Sequence, residues 1–354
     1  MKETSLNICG NTLIESECWT YYKFAIMQTS DELPIWLTNH FSVFVTIDGT
    51  ALFGEKGHFY PVSYYSELLD IIDGEILLVP SDHIVEYLKE KIHQGYYVIL
   101  DLNYNKLKNE NNSFWLHETL IYGYTCDGFY TTLLKNGSFV PQCVPYDIIK
   151  AAYDDVLNYY KADVNRLYNR RGWFYGITLI KLRKGLRNDN AYCDALSKLS
   201  AEIHGNVYTI EEYGNNAKNP ITYFTGSACL KHIVDLLKEL EFDDKVFHKM
   251  RNYKQACVKI RENQKVLCEI MRWYAKDFKC KELSEIIENY EKSINNIMIA
   301  VMLFNKFELT TNNDIIVHII YRLVNTTDKQ LELLENFISL AVSIYKNNLL
   351  LKEK

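Results

Sequence analysis

The sequence predicts an α+β chain in two parts, a mixed first domain over residues 1–185 and an all-α helical second domain over 186–354. Three observations predict it. The chain's 354 residues exceed what a single hydrophobic core usually holds before it divides. Its first half carries both apolar periods, strand-like alternation and helix-like recurrence at i, i+3 and i+4. From Asn188 onward the helical period dominates, with helices expected at 189–203, 225–240, 244–278, 281–305 and 327–350. No repeat of fixed period is present, so a helical bundle or layer is expected rather than a solenoid.

Taken in order, CWTYYKFAIMQ (18–28) is apolar around most of its surface and reads as a short buried helix. FSVFVTIDGTALFG places two apolar runs around Asp48-Gly49, a hairpin signal. DHIVEYLKEKIHQ follows as a helix stopped by Gly95, and YYVILDLNY as a strand. WLHETLIYGYTCDGFYTTLLKNGSF is a β-meander turning at Asp127-Gly128 and again at Asn136-Gly137. PYDIIKAAYDDVLNYYKADVNRLY is a helix with Pro145 in its first turn, and GITLIKLRK returns to the first sheet as a last strand.

Composition narrows the function classes. The sequence is 48% hydrophobic and 24% charged, which excludes a disordered or collagen-like chain. A formal charge of -6 and the lack of any Lys/Arg-rich run argue against a nucleic-acid partner. No apolar run approaches the ~20 residues of a membrane span, and the MKETSLNICGN start lacks a basic segment leading into an apolar one. A cytoplasmic protein without membrane association is therefore expected. Nine cysteines, an odd number with no CxxC pair, suit neither a disulfide framework nor a zinc site, so most are expected as reduced core thiols. No GxxxxGK[ST] loop occurs, so no ATP site is expected.

Two residues could carry chemistry together. A nucleophilic Cys needs thiolate character, which the positive end of a helix dipole and a neighbouring imidazole supply. Cys18 heads the first expected helix, directly before Trp19. His117 opens a strand of the meander, where pairing can fix the ring so that one nitrogen accepts the thiol proton. Each also has a plain structural reading, Cys as a small packing residue and His as a satisfied strand residue. Cys9 is the rival nucleophile, disfavoured by the Gly10-Asn11 that follows it where a helix should begin.

ESECWTYYKFA resembles the Cys-Trp that heads the central helix of papain-like enzymes, and HETLIYGYTCDGFYTTLLKNG is similar to their His-bearing strand and hairpin. Within that superfamily the chain resembles the family named for the N-terminal domain of the butirosin biosynthesis acyltransferase, over roughly residues 10–185. The resemblance implies a papain-like α+β fold followed by a helical region. It also implies transfer of an acyl group, in natural-product assembly, from the phosphopantetheine thioester of a carrier protein to an active-site Cys and then to a small amine. By this resemblance Cys18 is the nucleophile and His117 the general base and acid. No cofactor of the enzyme's own is implied, since phosphopantetheine arrives on the carrier, and no metal.

The family's third residue is an Asp on the strand after the hairpin, but TTLLKN holds no acid. Asn136 becomes the papain-like candidate. If Cys126 pairs with Phe129, Asn136 falls opposite Thr119, on the face of His117; Asn-Gly is equally a turn signal. Asp101 on the preceding strand is the alternative. Papain relatives carry an oxyanion-hole Gln upstream of the Cys, whereas this chain offers only Asn11. Arg166, Arg170 and Arg171, and Lys254, Lys259 and Arg261, suit either an acidic carrier or a solvated helix face. The apolar helical faces beyond residue 225 leave homodimerisation open, and a peptidase or an inactive binding scaffold would use the same residues differently.

Overall fold

The computed structural model describes residues 3–54, 65–108, 113–135, 137–166, 176–210 and 221–352. In chain order its elements begin with β1 (Thr4–Ser5), α1 (Cys18–Met27), α2 (Leu33–His40), β2 (Ser42–Thr46), β3 (Ala51–Gly54) and β4 (Leu69–Glu75). Next come α3 (Ile84–His93), β5 (Tyr97–Asn103), α4 (Tyr104–Leu107), β6 (Leu116–Tyr124), β7 (Gly128–Lys135), β8 (Ser138–Pro145), α5 (Tyr146–Ala162) and β9 (Gly176–Leu182). The rest is α6 (Ala191–His204), β10 (Asn206–Ile210), β11 (Ile221–Thr225), α7 (Ser227–Lys238), α8 (Val246–Phe278), α9 (Lys281–Thr310) and α10 (Asp314–Lys352).

The chain is a mixed α+β protein with antiparallel sheets and a helical C-terminal region, and it forms two compact units. In the first, the strands run β4-β9-β5-β6-β7-β8 with β1 added beside β6. Central β5 is buried at every position, because both of its faces are covered. Val98, Leu100 and Leu102 alternate onto one face and share a core with Leu88 and Ile92 of α3 and Ile149, Tyr153 and Val156 of α5. At Gly123 a Cβ would lie 2.7 Å from the Thr4 carbonyl and 2.8 Å from the Tyr130 ring, so the approach of β1 to β6 requires glycine there.

The expected split at 185/186 does not follow the chain in order. The second unit combines the chain from Arg187 onward with an earlier segment from Pro34 that carries most of α2 and the hairpin β2–β3, and β2 pairs with β11 (Tyr223 opposite Thr46) to give the sheet β10-β11-β2-β3. The second domain is therefore not all-α. Lys198 of α6, buried in the core, reinforces the junction: its Nζ donates to Ser42 Oγ of β2 at 2.5 Å and pairs with Glu202 at 3.1 Å. A buried ammonium is tolerable only with such partners.

The last helix begins at Asp314, thirteen residues before the expected 327. Asn325-Thr326-Thr327-Asp328 reads locally as a cap, but the two hydroxyls donate to the carbonyls of Arg322 (2.7 Å) and Leu323 (2.8 Å) one turn back and leave the helical ladder intact. The meander register also differs, with Phe129 opposite Tyr124 rather than Cys126. Thr125 makes the turn longer than two residues, since its Oγ1 accepts from the N–H groups of Asp127 and Gly128, both at 3.1 Å.

All nine cysteines are free, and Cys229, Cys257 and Cys268 are the buried ones. Cys126, Cys143 and Cys193 are exposed, so the expectation of mostly core thiols is corrected. Burial pushes the Cys257 and Cys268 thiols up to about 12 and Cys229 well above its usual value, which keeps them protonated and inert. Among the described residues no helix is long and apolar enough to cross a membrane.

Candidate active site

Cys18 is the first residue of α1, whose N-cap Glu17 is in extended backbone. The helix forms here because Tyr21, Tyr22, Phe24, Ala25, Ile26 and Met27 are all buried and it needs no polar face. The thiol is only half-buried and sits where the helix dipole favours a developing negative charge. Gln28, at the other end, accepts from the Leu13 N–H at 2.8 Å and ties down the segment leading into the helix.

β6 carries the partners. His117 lies opposite Leu102 and Glu118 opposite Asp101. The chain entering β6 is fastened to the end of β5, as Trp115 N–H donates to Asn103 Oδ1 at 3.1 Å and Tyr104 N–H donates to the Trp115 carbonyl at 2.7 Å. The rings of Tyr104 and Trp115 flank the imidazole, with centroids 4.8 Å and 5.4 Å from it. These contacts leave the ring little freedom to rotate.

The structure brings Cys18 and His117 together and adds a residue that the sequence reading passed over. Cys18 Sγ donates to Glu118 Oε1 at 2.7 Å, and the sulfur, a ring nitrogen of His117 and a carboxylate oxygen of Glu118 all lie within 4.8 Å of one another. His117 Nδ1 is 2.7 Å from the Glu118 carbonyl oxygen. A carbonyl only accepts, so Nδ1 carries the proton and, in the neutral ring, Nε2 holds the basic lone pair. The same carbonyl accepts from Tyr22 Oη at 2.7 Å, one helical turn beyond Cys18. Burial, with Glu118 and Cys18 adding to it, pushes the Tyr22 phenol well above its usual range and keeps it a donor.

The tautomer-fixing role assigned to a side chain is thus filled by main chain. Asp101 is fully buried and its Oδ2 accepts from Tyr160 Oη at 2.6 Å, which ties β5 to α5. Asn136 lies outside the described residues, as do Arg170 and Arg171. The Asn11 carbonyl accepts from Cys9 Sγ at 3.2 Å, and Asn11 itself is exposed. Arg166 packs over Tyr159 and donates to that residue's carbonyl, Lys254 pairs with Glu308 at 2.7 Å, and Lys259 donates to the Ala51 carbonyl. Arg261 Nε is buried with no hydrogen-bond partner.

One signal for Glu118 was present in the sequence. It is the acid in LHETLIYGY, a strand otherwise built to be buried, and a buried acid needs a polar partner. In the comparisons made with protein-family models and with curated proteins, nothing matches this chain.

Proposed function

We propose that the chain is a Cys-dependent acyltransferase that forms amide bonds, within a papain-like arrangement of the first unit. The observation that supports this best is the cluster of a helix-heading Cys18 with His117 and Glu118, all within 4.8 Å. The Cys18 sulfur attacks the carbonyl of a carrier-bound thioester, passes its proton through His117 to the departing pantetheine thiol, and becomes the acyl thioester. An amine then attacks the acyl carbon, loses a proton to the site, and leaves as the amide while Cys18 regains its thiol. Atoms balance without ATP, because the donor thioester supplies the driving force.

Glu118 gives the second step its direction. Acylation removes the thiol hydrogen that its carboxylate accepts, and the carboxylate then stands beside the acyl sulfur to attract a cationic amine and take its proton. Glu118→Gln keeps the shape and removes that base. Amide release should slow by about 100-fold while the acyl adduct on Cys18 accumulates, followed by rapid quench and intact mass measurement. Equal slowing of both steps would remove Glu118 from this role.

The reading itself is tested by incubating the protein with an acyl thioester, with and without a diamine. Amide and free thiol in equal amounts are expected. Free acid alone would make the protein a hydrolase, and no turnover with Cys18 unmodified would make it a binding scaffold.

A further inference from the structure

We infer that Cys18, His117 and Glu118 also form a binding site for a single Zn²⁺ ion, whose occupancy blocks the nucleophile. A thiolate sulfur, an imidazole nitrogen and a carboxylate oxygen are a mixed soft, borderline and hard donor set, which zinc accepts and magnesium or calcium does not. Tetrahedral ligands at zinc's usual bond lengths stand about 3.5 Å apart. The three donor atoms lie within 4.8 Å of one another, with Cys18 Sγ and Glu118 Oε1 at 2.7 Å, so shifts of side chains alone would complete the set.

Charge and second-sphere contacts agree. One thiolate and one carboxylate balance the two positive charges of the ion, with a neutral His117 as the third ligand. Metal-binding histidines donate their other ring N–H to a carboxylate or backbone carbonyl, which fixes the tautomer and the ring plane. With Nε2 as the ligand, His117 meets this condition: Nδ1 faces the Glu118 carbonyl at 2.7 Å, and Tyr104 and Trp115 hold the ring from its sides. On binding, the Cys18 S–H bond is replaced by a Zn–S bond and one proton passes to solvent. The fourth position stays open to water, as in zinc sites with three protein ligands.

Binding does not rest on the acyl-transfer reading, although the inhibition it causes does. The test uses the full-length protein, freed of metal by a chelator, and reads iodoacetamide labelling of Cys18 by peptide mapping. Zn²⁺ at ten times its Kd should slow Cys18 labelling by about tenfold while exposed Cys126, Cys143 and Cys193 label at unchanged rates. Co²⁺ titration should give one equivalent with a thiolate charge-transfer band, absent in Cys18→Ala and weakened in His117→Ala and Glu118→Gln. Unchanged Cys18 labelling, or a band that survives Cys18→Ala, would overturn the site. Protection without any acyl adduct on the chelator-treated protein would leave the zinc site standing and remove the acyltransferase reading instead.

Discussion

Replacing Cys18 with Ala should lower amide formation by roughly 10³-fold or more, the loss expected when the nucleophile of a cooperating set is removed. The thiol, the His117 ring and the Glu118 carboxylate lie within 4.8 Å of each other, so in the proposed mechanism each step passes a proton between them. Intact mass measurement of the wild-type protein after brief exposure to acyl thioester should show a single acyl addition, mapped to the peptide containing Cys18. The variant should show none. Retention of full activity by the Ala variant, or an adduct on half-buried Cys9 instead, would relocate the chemistry. The variant should fold normally, because a small residue at the first position of α1 fills no core space.

Phe129→Ala should be strongly destabilising for the first unit. The ring is fully buried in the core shared by the first sheet, α3 and α5, and meets Tyr146 edge-on at 4.9 Å. Truncating a buried Phe costs about 3–5 kcal/mol through lost burial and the cavity left behind, a large share of a typical total of ~5–15 kcal/mol. Calorimetry should therefore show the melting of the first unit fall by roughly 10 °C, whereas a fall of only a degree or two would mean the core closes over the gap.

Local pattern carried much of the fold. The buried helix after Cys18, the meander, the helix following Pro145 and the breaks between the long C-terminal helices each have short-range causes: turn residues, apolar spacing and caps. What escaped is non-local. Nothing within FSVFVTIDGTALFG says that β2 pairs with a strand near residue 223 rather than with its own half. Thr326 and Thr327 look like a helix start until their hydroxyls are seen to bond backward. At the site, sequence spacing pairs Cys18 with His117 but points to a side chain, Asn136 or Asp101, as the orienting group. A backbone carbonyl leaves no letter in a sequence, so the contact of Glu118 with His117 could not be read there.

That carbonyl has an evolutionary consequence. Where a side chain steers a histidine, one substitution can abolish the steering. Here the steering oxygen belongs to a peptide link inside a paired strand, and the same oxygen also receives Tyr22. No replacement of residue 118 deletes it. Substitution at this position can therefore change or remove the carboxylate beside Cys18 while the imidazole keeps its bearing.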